Sequence, residues 1–492
     1  MITRRKSAFC LNRWFFHKFT DSFKRWITSA IPESHALSGG AFCDSCVILL
    51  FYCTLDFVEE GIKMAFSKYK WLAGCFLLVA ACSSFDAEHS NKLVISHEAG
   101  KCIINQANEK ILDVPQDLRL FASQINGKDL RSRQKELNKK FDELFFSPWT
   151  AEGKEVFPAS FSGDYFGENL HKLSQKDVEY IRNNIKYRSP IKEKGIIIRN
   201  TMAKLWPTES QLFSNLKNPG DSYPFDSNIQ SLMRLGTPVK IAAISQDELW
   251  AFVSSYAFSG WVSMHDVAYV DKSFIKTYMA RPKVVAIKDG IVIRYKGKFL
   301  NRADIGTVLV RDKKGLLCPH KNFDGFAKLV SCNASGFSQK PLEFTAQNAI
   351  KIAEQFLGQK YGWGGYLNLR DCSMLTMDYC TTFGIPLARN GNAQLSGGGC
   401  VNLSKKSTPF ISRHGKPFLT LVGYKGHVML YVGKYRNKPV FLHNVWGAPK
   451  TPDRKSRYVI GKTILTTSDF GKNIKETKNC KLADIITVMK FI

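Results

Sequence analysis

The sequence predicts an α+β multidomain protein, with a helical N-terminal segment, two small β-barrels, and a C-terminal domain of helices packed on an antiparallel sheet. Three observations carry that expectation. Apolar residues recur at helical spacing between about 105 and 185. From 186 to 340 the pattern changes to short β runs broken by Gly, Pro, Ser and Asp. After 341, two helical stretches precede a set of strands. The chain has 492 residues, enough for several cores, and 44% hydrophobic with 23% charged residues is a globular composition. The formal net charge of +28 is spread along the whole length. Such a surface suits an anionic polymer, an acidic lipid surface or a bacterial wall, and equally a plain solvated surface. A nucleic-acid-reading arm is not indicated.

The N-terminus reads as an address. "MAFSKYKWLAGCFLLVAACSS" from Met64 has the form of a secretory signal: Lys68 and Lys70, an apolar run from Trp71 to Ala81, then Cys82. "VAAC" ending at Cys82 resembles the lipobox of bacterial lipoproteins; "LAGC" ending at Cys75 matches better but has no apolar run before it. Cys82 is therefore the expected acyl acceptor, and residues 82–104 a polar tether. By resemblance to enterobacterial lipoproteins, Ser83 directs the protein to the outer membrane, facing the periplasm. "EEGIKM" could be encoded by a purine-rich run like a ribosome-binding site, so translation is expected to start at Met64. Residues 1–63 are then an upstream extension and 64–81 the signal peptide. "CDSC" at Cys43 to Cys46 lacks a second pair at zinc-finger spacing. In an oxidising compartment Cys102, Cys318, Cys332, Cys380, Cys400 and Cys480 could include a disulfide, with the pairing open.

Residues 105–185 are expected to be helical packing material. "DLRSRQKELNKKFDELFF" puts Leu137, Phe141 and Leu144 on one face, and Ser174 with Asp177 forms a capping box for the next helix. In 186–272, "GIIIRN", "TPVKIAAIS", "ELWAFVSSY" and "SGWVSMHDVAYVD" read as strands, in an order similar to a bacterial SH3-like domain, with "RNTMAKLWPTES" as its opening strand and loop. Residues 273–340 repeat the theme, "DIGTVLVRD" echoing "LGTPVKI". In 341–492, Thr345 caps a helix with Ala349, Ile352, Ala353, Phe356 and Leu357 on one face, ended by Gly358. A second helix runs from Cys372 to Phe383 with Leu375, Tyr379 and Phe383 stacked. "HVMLYVG" and "KPVFLHNVWG" are strands of a hairpin.

The chemistry concentrates there. Asp371 is placed to cap the second helix, which puts Cys372 in its first turn, where the helix field lowers a thiol pKa toward the thiolate. His427 opens the first hairpin strand as a candidate base. His443 on the next strand could orient it through a ring nitrogen, with Asn444 as its rival. A lone histidine on a strand is usually a core residue; Cys, His and His in that order on helix, strand and strand are less easily accidental.

These motifs, "YGWGG", "DCS", "GHVMLYVG" and "FLHNVWG", resemble those of the NlpC family of papain-like cell-wall cysteine peptidases. The order of helical segment, two SH3-like domains and catalytic domain is similar to a subset that cleaves the γ-D-glutamyl–diaminopimelate bond of murein peptides. The resemblance implies Cys372 as nucleophile, His427 as base and His443 as its orienting partner. It implies Tyr361 on the oxyanion side, Asp371 and Ser373 holding the free amine of the substrate's L-alanine, and Tyr256 from the first barrel closing one end of the cleft. Met374 stands where the family has glycine.

The expected function is hydrolysis of wall stem peptides by a lipid-anchored, monomeric envelope protein. No metal or cofactor and no nucleic-acid partner is expected. The competing readings are an inactive wall-binding lipoprotein and a thiol acyltransferase of the same superfamily.

Overall fold

The computed structural model describes residues 112–492 apart from 153–156, 158–159, 218–219, 221, 404–407, 451–456 and 474. The upstream extension, the signal, Cys82, the tether and Cys102 lie outside the described residues.

The helical segment contains α1 (Gln134–Phe145) and α2 (Gln175–Lys186). The inner face of α1 is Leu137, Phe141 and Phe145; Leu144, expected inside, is 47% exposed. The reason is the partner surface: the rings of Phe141 and Phe145 lie 5.7 Å apart and both meet Tyr256 of the first barrel. Gln134 is buried and donates to the carbonyls of Leu342 and Phe383, tying α1 to the C-terminal domain. Ser174 caps α2 through the Asp177 N–H, and its hydroxyl also donates to the Asp177 carboxylate at 2.6 Å, in place of the return bond of a full capping box.

The first β unit is an antiparallel sheet in the order β3-β2-β6-β5-β4-β1-β7. Its strands are β1 (Ser189–Ile197), β2 (Thr201–Lys204), β3 (Ile229–Met233), β4 (Pro238–Ile244), β5 (Trp250–Ser254), β6 (Ser259–Ser263) and β7 (Val267–Tyr269). Between β2 and β3 runs a long connection whose Leu212 packs with Phe161 and Ile181. Asp226 pins its end by accepting from the N–H groups of Leu212 and Asn228. A helix, α3 (Lys272–Ala280), leads into the second β unit. This comprises β8 (Lys283–Ala286), the hairpin β9 (Ile291–Tyr295) and β10 (Lys298–Ala303), then β11 (Val308–Arg311), β12 (Leu316–Lys321), β13 (Ala327–Cys332) and β14 (Phe337–Gln339). Its main sheet has the order β13-β12-β11-β8-β14. The thiols of Cys318 and Cys332 approach each other in its core without a disulfide.

The C-terminal domain packs α4 (Ala346–Ala353) and α5 (Cys372–Thr382) on one face of a six-stranded antiparallel sheet. The sheet order is β15-β20-β16-β17-β18-β19, with β15 (Cys400–Asn402), β16 (Thr420–Tyr424), β17 (His427–Tyr435), β18 (Lys438–Pro449), β19 (Arg457–Thr467) and β20 (Val488–Phe491). Arg436 and Asn437, both at positive φ, make the tight turn that sets β17 against β18. Along β17 the side chains alternate between two cores, Val428 and Leu430 toward the helices, Met429 and Tyr431 toward the far face. Leu375, Tyr379 and Phe383 are fully buried, as their spacing predicts.

A buried charge network fixes α5 to both β units. Asp378 on α5 receives Arg370 Nε at 2.7 Å and Arg234 Nε, from the first β unit, at 3.1 Å. Arg370 forks onto Asp289 of the second β unit at 2.7 and 2.8 Å. Burial alone would raise the Asp289 carboxyl, but the bonds and charge of Arg370 hold it at about 2.

Candidate active site

The site is built where α5 begins. Asp371 has extended backbone geometry and accepts the Met374 N–H at 2.8 Å, the N-cap that the sequence predicts. The preceding turn, Gly362 to Leu369, brings the chain against β3. An added Cβ would lie 2.3 Å from Ile229 at Gly364, and 2.6 Å from Leu232 at Gly365, and both glycines have positive φ. Only glycine allows that approach, which explains the glycines of "YGWGG". Met374 is buried with its sulfur against Gly365, so it packs into this turn.

Cys372 is 9% exposed at the start of α5, and the backbone N–H groups of Val428 and Ser373 are directed at its sulfur. His427 begins β17, adjacent in sequence to Val428, whose N–H reaches that sulfur. The Nε2 atom of His427 lies 2.8 Å from Nδ1 of His443, and Nε2 of His443 lies 3.0 Å from the Thr466 hydroxyl. Each ring is thereby held by a partner on the next strand, β17 to β18 to β19. Asn444, the rival of His443, points elsewhere: its amide donates to the Arg370 carbonyl at 2.8 Å.

The electrostatics differ from the expected thiolate. Burial, reinforced by the adjacent Asp371 charge, pushes the Cys372 thiol up to about 12, and the two N–H groups recover only part of this. Burial and the Arg457 charge lower His427 to about 4. His443 is also depressed, by burial and by His427. At rest the thiol and the imidazole are both neutral. Such a pair reacts by handing the thiol proton to His427 as sulfur attacks, which needs no standing ion pair.

Tyr361 lines the same space. Its phenol is raised by burial and by the proximity of Cys372 and Asp371, and its ring lies 5.6 Å from Phe225 and 6.1 Å from Trp446. Phe225 comes from the long connection of the first β unit and stacks on Trp363 at 4.9 Å. That unit therefore does wall the cleft, but through Phe225. Tyr256 does not. It sits between Phe141, Phe145 and the Thr381 end of α5, about 13 Å along the helix from Cys372 at 1.5 Å per residue. The β5–β6 turn that carries Tyr256 packs on the rear of α5, and β3 with the long connection faces the nucleophile.

Asp371 and Ser373 meet a side chain that the sequence reading missed. Arg389 donates to both Asp371 oxygens, at 2.6 and 3.1 Å, to Ser373 Oγ at 2.7 Å, and to Ser231 of β3 at 2.5 Å. Burial would raise the Asp371 carboxyl, yet the charge and hydrogen bonds of Arg389 bring it below the usual range. The carboxylate and the hydroxyl that the resemblance assigns to a substrate amine thus also bind a guanidinium of the chain. The signal available in the sequence was a single arginine following the apolar stretch "GIPLA".

Comparison with known proteins agrees with this architecture. Residues 358–450 match the NlpC/P60 family, residues 211–263 an SH3 domain of SH3b1 type, and residues 71–188 the N-terminal NLPC_P60 stabilising domain. In fold the chain is similar to a novel NlpC/P60 endopeptidase from Photobacterium damselae subsp. piscicida, at TM-score 0.67 and 22% identity over 77% of this chain and 97% of that one. An NlpC/P60 family protein from Bacillus cereus ATCC 10987 aligns at TM-score 0.38 and 15% identity, over 60% of this chain and 98% of that one. No curated protein matches the sequence. A stabilising segment, an SH3-type unit and a segment similar to the NlpC/P60 family thus follow one another along the chain.

Proposed function

We propose that this protein is a cysteine peptidase of bacterial wall stem peptides, cleaving the amide between the γ-carbonyl of D-glutamate and diaminopimelate. The NlpC/P60 fold supports a cell-wall hydrolase in general. The observation that carries the catalytic part is the line His427, His443, Thr466, which starts next to Val428, whose N–H reaches the Cys372 sulfur. In the reaction the Cys372 proton passes to His427 as sulfur adds to the γ-carbonyl. The Cys372 backbone N–H and the Tyr361 hydroxyl would stabilise the oxygen that becomes negative. His427 then gives its proton to the departing amine, leaving a thioester. Water, deprotonated by His427, attacks the thioester and regenerates the thiol, so one amide and one water become one acid and one amine. His443 fixes the tautomer and orientation of His427.

The test is incubation with a defined L-alanyl-γ-D-glutamyl-diaminopimelate peptide and mass analysis of the fragments, alongside the Cys372→Ala variant. Wild type should release diaminopimelate and the variant should not.

We also propose attachment to the bacterial outer membrane through acylated Cys82, supported by the signal-like run from Met64. Each buried methylene of an acyl chain adds about 0.8 kcal/mol, so several chains make a stable anchor. Cys82→Ser should move the protein from the membrane to the soluble fraction. Retention of the variant in the membrane fraction would assign the anchor elsewhere.

A further inference from the structure

A second cleft, of about 590 Å³, opens between the two β units, and none of the residues proposed to react lines it. The first unit supplies Arg199 and Asn200, from the connection between β1 and β2, and His265 from the turn before β7. The second supplies Phe299 and Arg302 of β10 with His320 and Lys321 of β12. The C-terminal domain adds Asn368, at the end of the turn that leads to α5. Hydrogen bonds cross each boundary. Asn301 donates to the Ile198 carbonyl at 2.7 Å, Lys321 to the Met264 carbonyl at 2.6 Å, and Asn200 to the side-chain oxygen of Asn368 at 2.8 Å. A cleft fixed from three sides has little ordering left to lose when it is filled, and its size lies in the range of ligand pockets, about 300–1,000 Å³.

Its chemistry is one-sided. Arg199, Arg302 and Lys321 line it together with the two histidines, and no carboxylate among the described residues does. The acids that accompany the arginines stand deeper. The Asp266 side chain is 17% exposed against 56% for Arg199, and that of Asp304 is 1% exposed against 53% for Arg302. Burial and the Arg199 charge lower the Lys321 ammonium in spite of Asp266, so like charges crowd here. Beside them Phe299 leaves 65% of its surface exposed. Cations in an outward-facing cleft recognise carboxylates. Asparagine amides bond hydroxyl and acetamide groups, and an aromatic ring covers the apolar C–H face of a sugar. The concave shape admits a polymer strand, whereas a bilayer presents a broad surface.

We propose that this cleft is a second binding site for the wall polymer, in which Arg199 and Lys321 take stem-peptide carboxylates and Phe299, with the neighbouring amides, takes the adjoining sugar. The choice of polymer rests on the stem-peptide reading above. The site holds the protein on the wall independently of the reacting cysteine, so its contribution shows with polymeric wall and not with a small peptide.

Co-sedimentation of the Cys372→Ala protein with purified peptidoglycan sacculi tests this without cleavage. Adding Arg199→Gln should weaken binding about tenfold and reduce its salt dependence, the effect of one hydrogen-bonded charge. Adding Phe299→Ala, at an exposed ring whose loss leaves the fold intact, should also weaken binding about tenfold. Amidating the sacculus carboxylates should act like Arg199→Gln. With Cys372 present, Phe299→Ala should cleave the free L-alanyl-γ-D-glutamyl-diaminopimelate peptide with kcat/KM within about twofold of wild type. Failure to bind sacculi, binding that survives either substitution, or equal binding of amidated sacculi overturns the proposal. So does equal affinity for double-stranded DNA or for phosphatidylglycerol vesicles, which would mark a general attraction for anions. If wild type leaves the tripeptide intact, the peptidase reading fails, and sacculus binding still decides this site.

Discussion

His427 carries the proton economy of the site, and its ring is tuned by what surrounds it. With burial and Arg457 lowering it to about 4, it remains neutral and able to accept a proton well below neutral pH. The logarithm of kcat/KM should therefore rise with pH up to about 4 and then level off; a limb near the ordinary value of about 6.5 would contradict the buried setting. Stability follows the same sign. The unfolded histidine binds its proton first, so the stabilisation present above about 6.5 is lost as pH falls toward the folded value, by about 3 kcal/mol. Cys372 at about 12 should react slowly with iodoacetamide in the resting enzyme at mildly acidic pH. Fast, selective labelling there would mean a standing thiolate. His443→Ala should lower kcat by about 10³ to 10⁴ with little change in KM, since it acts through His427. The three residues proposed to react were singled out because each sits at a punctuated start or alternation: Asp371 before a helix, Gly426 before a strand, a hairpin turn between the histidines. Arg389 was not legible. Its partner Asp371 lies on the far side of a helix, and an isolated arginine after "GIPLA" reads equally well as surface.

At the scale of elements, α5 is the part that must not move, and its polar contacts hold it more specifically than its apolar ones. The stack of Leu375, Tyr379 and Phe383 announces a helix, yet all but one of its eleven residues are buried, so periodicity alone leaves its surroundings open. Asp378 supplies what is missing, receiving Arg370 and Arg234. Arg370→Met would leave Asp378 and Asp289 without a shared cation and should destabilise the protein by about 3–5 kcal/mol, read as a lower urea midpoint at unchanged m-value. A shift under about 1 kcal/mol would mean that the network is dispensable. The face of α1 shows the converse limit. Leu144 and Phe145 fit helical spacing about equally, and only the presence of the Tyr256 ring decides that the phenylalanine turns inward.

At the scale of the whole molecule, the β units help to build the candidate site. Asp289 and Arg234 reach α5, Gln134 caps carbonyls beside it, Ser231 receives Arg389, and Phe225 walls the cleft. A fragment of residues 341–492 alone should therefore lack a cooperative thermal transition and catalytic activity; a stable, active fragment would show the preceding units to be accessories. The order of units could be read from the change of period along the chain, while mutual contacts such as Arg370 with Asp289 and Arg234 with Asp378, 81 and 144 positions apart, could not. The most direct measurement of the central claim is mass analysis of a defined L-alanyl-γ-D-glutamyl-diaminopimelate peptide incubated with wild type and with Cys372→Ala. The account predicts L-alanyl-γ-D-glutamate and free diaminopimelate from wild type and intact peptide from the variant. An intact peptide from both, a cut at another bond, or undiminished cleavage by the variant would contradict it.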